Sequence, residues 1–269
     1  MTGRTVIINP CGKTGEIVAD SLRRHGLEVT VLTGPSARKD EPGFLRALHR
    51  EADKGDVAAI IPIFFPEVLA AHRNEFPGIQ IPVDDPERIL LLDNKSSACA
   101  LAARLGIPQP RFYSTPDEIS DYPVVFKRPM GQGGDSVYFP GNRRSLENLL
   151  KTESAPIIQE YIEGENVCVD ALRCPDGEFY AAAYRVLEPR GKGVSTLRAY
   201  SDEPELCALC KKILDGIDYK GVCGFDFRRS ADGKNFFLEA NPRFSGGLET
   251  TLASGLDLPW LLLSRYRSE

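Results

Sequence analysis

The stretch GVCGFDFRRSADGKNFFLEANPRFSGG, residues 221–247, constrains the fold more than any other part of the chain. Two largely apolar runs, GVCGFDFRR and KNFFLEANPR, flank the turn SADGK, which is the pattern of an antiparallel hairpin. On the second run a carboxylate (Glu239), an amide (Asn241) and a guanidinium (Arg243) follow at alternate positions before a Gly-Gly pair. Alternate residues of a strand share a face, so the three polar heads point the same way. Asp226 lies thirteen residues before Glu239, on the first run.

The rest of the chain divides by pattern. TVIIN, LEVTVL and DVAAIIPI read as strands, with EIVADSLRRHG as an amphipathic helix between the first two and FPEVLAAHRNEF as a helical stretch after the third. This alternation indicates a parallel, doubly wound sheet. The pattern breaks near Pro82–Pro86, and LLLDNKSSACALAARLG supplies a helix ending at Gly106. Beyond it PVVFKRP, DSVYF, PIIQEYI, ENVCVDALRC and EFYAAAYRVLE are strand-like with few helices between them, which indicates antiparallel pairing. ELCALCKKILDGI is a helix, and GLETTLASG and LPWLLLSRY close the chain as short helices. The layout is an α/β domain followed by an α+β region.

Composition excludes several classes. The chain has 269 residues, 42% of them hydrophobic and 26% charged, an ordinary globular balance. A net charge of -5 argues against a nucleic-acid binder, which would carry a basic surplus. No apolar run reaches the length of a membrane span, and MTGRTVIINP lacks a signal-peptide layout. Seven scattered cysteines argue against a disulfide framework and for a reducing compartment, so a soluble cytoplasmic protein is expected. The Cys207–Cys210 pair in LCALCKKIL lies on a helix with no second pair, and reads as two small helix residues.

Three further stretches bear on chemistry. NPCGKTGE resembles the end of a phosphate-binding loop, but the glycine required five residues before Gly12 is Ile7, so an ordinary strand-to-helix loop is the better reading. VVFKRPMGQGGDSVYF sets Lys127 on an apolar strand before a glycine-rich hairpin; this suits a polyphosphate grip or a plain hairpin equally. PIIQEYIEGENVCVD suits a connector whose backbone meets adenine and whose Glu165 accepts from ribose hydroxyls. Read by itself it is more simply a strand, turn and strand with solvated acids.

Taken in order, these motifs resemble the ATP-grasp superfamily, and within it the carbamoyl-phosphate-synthetase-like ligases, from about Asp93 to Leu263. The resemblance implies a pre-ATP-grasp Rossmann-like α/β domain (1–88), a lobe with the glycine-rich loop (89–160) and a lobe with the metal site (161–269). It implies that Asp226, Glu239 and Asn241 hold Mg²⁺, or Mn²⁺ in its place, and that Arg243 meets the transferred phosphoryl group. A hard divalent ion takes oxygen ligands and bridges carboxylates to nucleotide phosphates, which fits that set. A purely structural cluster would need a buried partner for each charge, and nothing nearby in sequence supplies one.

By the same resemblance Lys95 and Lys127 bind ATP phosphates, and Gly131, Gly133, Gly134 and Ser136 form the loop that closes on them. Glu160, Tyr161 and Ile162 contact adenine, mainly through backbone, in a register open by one residue between Glu160 and Gln159; Glu165 takes the ribose. In RVLEPRGKGVSTLRAY, Arg185 and Arg198 are the candidates to face phosphate or substrate, ahead of Arg190 and Lys192. Little sequence follows LDLPWLLL, so a biotin-carboxylase-type C-terminal domain and bicarbonate fixation are not expected. Without glutaminase and second synthetase halves, carbamoyl-phosphate synthesis itself is not expected either.

The implied activity is a Mg-ATP-dependent ligase. It would join a carboxylate, activated as acyl phosphate, to an amine, with an amino acid among its substrates. An ATP-grasp kinase or a non-catalytic ATP-binding module are the alternatives. The implied partners are small molecules, with neither nucleic acid nor membrane involved; a homo-oligomer is compatible with the sequence.

Overall fold

The structure is a computed structural model and describes residues 5–8, 12–131, 137–190 and 194–266. In the N-terminal part β1 (Thr5–Ile8), α1 (Gly12–Arg24), β2 (Glu28–Val31), α2 (Glu41–Ala52) and β3 (Val57–Ile61) form a parallel sheet of order β2-β1-β3 with its helices. Val18 and Leu22 of α1 pack with Ala59 and Ile61, whereas Phe44 and Leu48 of α2 pack with Val57 and Ile60. The two helices therefore cover opposite faces, and β3 is buried throughout because both of its faces are covered. Helix α2 is absent from the sequence reading. Its segment, EPGFLRALHREA, starts with a proline at the first turn and is capped by Asp40, whose side chain accepts from Gly43 N at 2.9 Å.

After α3 (Pro66–Ala71) the chain enters α4 (Pro86–Asp93) and α5 (Lys95–Arg104). The sequence suggests one helix here; two form because Asn94 is extended and caps the second, accepting from Ser96 N (2.9 Å) and Ser97 N (3.2 Å). Lys95 thereby becomes the first residue of α5.

Next come β4 (Phe112–Tyr113), β5 (Val124–Lys127), β6 (Val137–Tyr138), α6 (Arg143–Leu150) and β7 (Ile157–Glu160), an antiparallel sheet of order β4-β7-β5-β6. The third sheet is built from β8 (Gly164–Arg173), β9 (Phe179–Arg190), β10 (Val194–Ser201), β11 (Gly221–Ser230) and β12 (Asn235–Asn241). Its order is β10-β9-β8-β11-β12, antiparallel throughout. Gly164 opens β8 beside Arg229: a β-carbon there would stand 1.8 Å from the Arg229 carbonyl oxygen, and its φ is +152°, so only glycine fits. Helix α7 (Pro204–Asp215) covers one face; α8 (Leu248–Ala253) and α9 (Leu258–Arg265) lie against the other. The largest buried cluster runs from Leu32 and Phe44 through α5 and α7 to Phe225 and Phe237, so one core spans the N-terminal part and the five-stranded sheet.

Candidate active site

The β11–β12 hairpin pairs Asp226 directly with Glu239, and Phe227 with Phe237. The register shifts between those pairs, so β12 carries one residue more than β11 across this step. That residue, Leu238, forms a bulge, and the bulge explains the site. Phe237 and Glu239 are two apart and would share a face of a regular strand; the bulge sends Phe237 into the core against Phe227 and Glu239 to the opposite face beside Asp226. β12 ends at Asn241, so Arg243 lies beyond the strand. Its guanidinium nevertheless reaches back, donating to Asn241 Oδ1 at 2.7 Å and pairing with Asp93 at 3.0 Å.

Two lysines converge on this hairpin from the other side. Lys95 Nζ meets Glu239 Oε2 at 3.0 Å and the Gly131 carbonyl at 3.0 Å. Lys127 Nζ donates to the Leu238 carbonyl, at the bulge, at 3.4 Å. Buried partners for Glu239 and Arg243 therefore exist, contrary to the sequence reading. Lys95 and Asp93 come from more than a hundred residues away, where local sequence gives no sign of them.

The electrostatics separate the two acids. Burial raises the Asp226 carboxyl to about 7, and the adjacent Glu239 adds to the rise. Burial also opposes ionisation of Glu239, but Lys95 and Lys127 outweigh it and hold that carboxyl down at about 2. Burial depresses the Lys127 ammonium, with Glu239 pulling the other way. Asn241 Nδ2 lies 3.4 Å from both Asp226 and Glu239.

Among the described residues no three His, Cys, Asp or Glu side chains form a metal cluster. The centre is instead two carboxylates and an amide. Such a set fits a hard cation sharing its remaining positions with phosphate oxygens; Asn241 Oδ1, which here accepts from Arg243, would join it on leaving that bond. Cys168 Sγ donates to Asp226 Oδ1 at 2.9 Å, a neighbour the sequence reading missed.

The remaining expected residues divide. Lys127, Lys95 and the Gly131 backbone are brought together, while Gly133, Gly134 and Ser136 lie outside the described residues, as does Lys192. In β7, Ile158 packs with Val124 and Phe126 in the small core under α6, so Ile157 and Gln159 share the opposite face with Lys127. Glu160 therefore does not point at the Lys127 side. Its carboxylate instead accepts from Arg111 N at 3.2 Å. Gln159 is buried on that side, and its Nε2 has no hydrogen-bond partner.

The connector is fastened by Arg228, which donates to the Ile162 carbonyl at 2.9 Å and lies 5.9 Å from the Tyr161 ring centroid. Glu165 is 3.6 Å from Arg229. Arg185 pairs in register with Val167, which faces α7, and it is exposed; it stands across the sheet from Asp226 and does not join the site. Arg198 is on the Asp226 face, 6.0 Å from the Tyr184 ring centroid.

Two antiparallel sheets facing one another across opposed lysines and carboxylates make up the ATP-grasp fold, and the chain has that fold. Residues 152–269, somewhat under half of the chain, match the family described as ATP-grasp in the biosynthetic pathway with Ter operon. The chain is 27% identical over 163 residues to the D-alanine–D-alanine ligase of Fusobacterium nucleatum, covering 55% of this chain and 55% of that protein. It thus spans about half the length of that curated relative. A biotin carboxylase from Campylobacter jejuni, solved as an ATP-type complex, superposes with a TM-score of 0.81 at 15% identity, over 99% of this chain and 72% of that one. The L-amino acid ligase from Bacillus licheniformis superposes with a TM-score of 0.77 at 14% identity, over 98% and 74% respectively. At these identities the solved structures establish the fold. Among the described residues no helix is long and apolar enough to cross a membrane.

Proposed function

We propose that the chain is an ATP-dependent, ADP-forming ligase that joins a carboxylate to an amine, with an amino acid among its substrates. The observation that carries this reading is the opposition of Asp226 and Glu239 across the hairpin, with Arg243 at its end and Lys95 and Lys127 facing it. Nucleotide binding alone does not require that full set.

Lys127 and Lys95 hold the ATP phosphates, giving up the Leu238 carbonyl and Glu239 as they do so. Gln159 offers its unpaired amide to the adenine, with the backbone of residues 160–162 beside it. Asp226, Glu239 and Asn241 would hold Mg²⁺, or Mn²⁺, which when bound neutralises charge between the phosphates and the carboxylates. Arg243 presents a planar fork to the terminal phosphoryl group and the carboxylate it reaches, where charge develops. The acyl phosphate so formed loses phosphate when the amine attacks the carbonyl carbon, giving the amide. No side chain forms a covalent bond; the residues position and stabilise charge.

The related ligases named above make such a product class plausible in kind, and the six described cysteines are all free thiols, as suits the cytoplasm. The test is an ADP-release screen over carboxylates and amines, followed by mass identification of the amide. ATP consumption that leaves phosphate on the product would indicate a kinase, and nucleotide binding without turnover a regulatory module.

A further inference from the structure

The elbow between α4 and α5 meets the site from two residues that flank a helix cap. Asp93, the last residue of α4, pairs through Oδ1 with Arg243 Nη1 at 3.0 Å. Lys95, the first residue of α5, pairs through Nζ with Glu239 Oε2 at 3.0 Å. Between those contacts Arg243 Nη2 donates to Asn241 Oδ1 at 2.7 Å, and Asn241 Nδ2 to Glu239 Oε1 at 3.4 Å. Asp93, Arg243, Asn241, Glu239 and Lys95 thus form a ring of side chains that closes through the backbone of Asn94.

The elbow is itself held firmly. Asn94 N donates to the Leu90 carbonyl at 3.1 Å, and Lys95 N to the Pro129 carbonyl at 3.0 Å, while the Asn94 side chain caps α5. Arg243 is placed differently: it lies beyond the last ladder pair of the hairpin, Gly224 with Asn241, so side-chain contacts must aim its long stem. The Phe64 ring, with its centroid 6.0 Å from Arg243 Cζ, confines the guanidinium plane. Asp93 and Asn241 fix its edges. The proposed chemistry breaks two links of the ring, since Asn241 Oδ1 leaves Arg243 for the cation and Lys95 leaves Glu239 for phosphate. The link from Asp93 to Arg243 is the one that neither step consumes.

Resting on the ligase reading, we propose that Asp93 is the positioning residue of Arg243: it keeps Nη1 while Nη2, released by Asn241, turns to the terminal phosphoryl group. A guanidinium is a rigid planar fork, so holding one edge aims the other. Asp93 itself touches neither nucleotide nor substrate. The competing role is plain neutralisation of a largely buried cation, which would affect stability without acting through the aim of Arg243.

The experiment is a double-mutant cycle on the full chain, comparing wild type, Asp93→Ala, Arg243→Met and the double variant, with Asp93→Asn as a milder change that keeps the shape and an acceptor. With a substrate from the ADP-release screen, Asp93→Ala should lower kcat ~100-fold, because a misplaced group loses its reacting geometry. Asp93→Asn should lower it about 10-fold, since only the charge is lost. In both, KM for ATP should stay within about 3-fold of wild type. Added to Arg243→Met, which keeps the stem but removes the fork, Asp93→Ala should cost less than about 2-fold more. The same cycle is read without turnover by titrating Mg-ADP in the presence and absence of aluminium fluoride, a mimic of the phosphoryl group in transfer. Fluoride should tighten ADP in the wild type, and Asp93→Ala should lose that tightening as Arg243→Met does, with Mg-ADP alone unaffected.

Losses that multiply in the double variant overturn the proposal, as does an Asp93→Ala that keeps its kcat or shifts only KM for ATP. An Arg243→Met that works normally, or a wild type with neither ADP release nor a fluoride effect, overturns it too, because Arg243 then has nothing to aim at. A non-additive fluoride cycle with no ADP release from any carboxylate would sustain the role of Asp93 and refute the ligase reading.

Discussion

The two antiparallel sheets that face each other across the site are built to different standards. In the five-stranded sheet β8, β9 and β11 run for 10, 12 and 10 residues, and Phe225, Phe227 and Phe237 are fully buried behind the hairpin. In the four-stranded sheet β5 and β7 have 4 residues each, β4 and β6 only 2, and the fully enclosed core is Val124, Phe126, Leu146 and Ile158. The acids, the amide and Arg243 belong to the first; Lys127 and the start of the glycine-rich hairpin belong to the second. Groups that must hold a fixed geometry sit on the heavily packed sheet. On the proposed function, Lys127 would have to yield to an arriving nucleotide, and it sits on the lightly packed sheet, where local opening costs less.

That contrast can be broken by substitution. The largest effect is expected at the rigid sheet: Glu239→Gln keeps shape but removes the charge shared with Lys95, and turnover should fall by at least ~100-fold with the far-UV spectrum unchanged. Normal ATP turnover in that variant would remove Glu239 from the metal set. On the smaller sheet, Lys127→Ala should weaken ATP by roughly 10- to 100-fold and leave adenosine alone, because the proposed phosphate grip loses its cation while the base contacts stay. Equal losses for both ligands would point to damage to the lobe itself.

Two further comparisons address packing. Phe227→Ala should cost ~3–5 kcal/mol of global stability by denaturant titration, since the ring is wholly enclosed and stacked edge-on against Phe237. The same deletion at Phe126 should show first as faster amide exchange in β5 and β7 and as weaker ATP binding. Matching global losses with no local signature would erase the distinction between the sheets.

The smallest effect lies outside both. His72 bonds Glu75 at 2.6 Å and Glu41 at 3.3 Å, tying α3 to α2, and the Glu75 bond chiefly raises its pKa above the ordinary 6.5. A raised histidine stabilises fully below 6.5 and loses that contribution as pH rises through the raised value. Glu75, whose carboxyl is lowered mainly by His72, contributes above 4.5 and loses it as pH falls through the lowered value. The melting-temperature gap between wild type and His72→Gln should therefore be widest between these limits and narrow by pH 9. A gap that does not change with pH would show that the pair is not ionised.

Much of this was legible in the chain. The hairpin at residues 221–241 is set by two apolar runs around SADGK, and its turn fixes the register as far as Phe227 opposite Phe237. The bulge at Leu238 was not legible, because a strand pattern has period two and gives no sign of an inserted residue; yet that bulge decides which face Glu239 occupies. Arg185 was misjudged for a related reason: Arg185 and Arg198 are both strand arginines, and only the pairing of β9 with β8 shows that they face opposite ways. Asp93 and Cys168 reach the site through long-range pairing that no local motif announces. Asn94, by contrast, is a recognisable cap, and could have split the helix at Lys95 from sequence alone.

The claim at the centre of the account is that ATP activates a carboxylate as an acyl phosphate. With a substrate found by the ADP-release screen, its carboxylate is labelled with oxygen-18 and the inorganic phosphate is analysed by mass. The account predicts one labelled oxygen in the phosphate, with ADP as the nucleotide product, because the carboxylate oxygen leaves with the phosphoryl group that Arg243 faces. Unlabelled phosphate beside a genuine amide, or AMP with pyrophosphate, would contradict it.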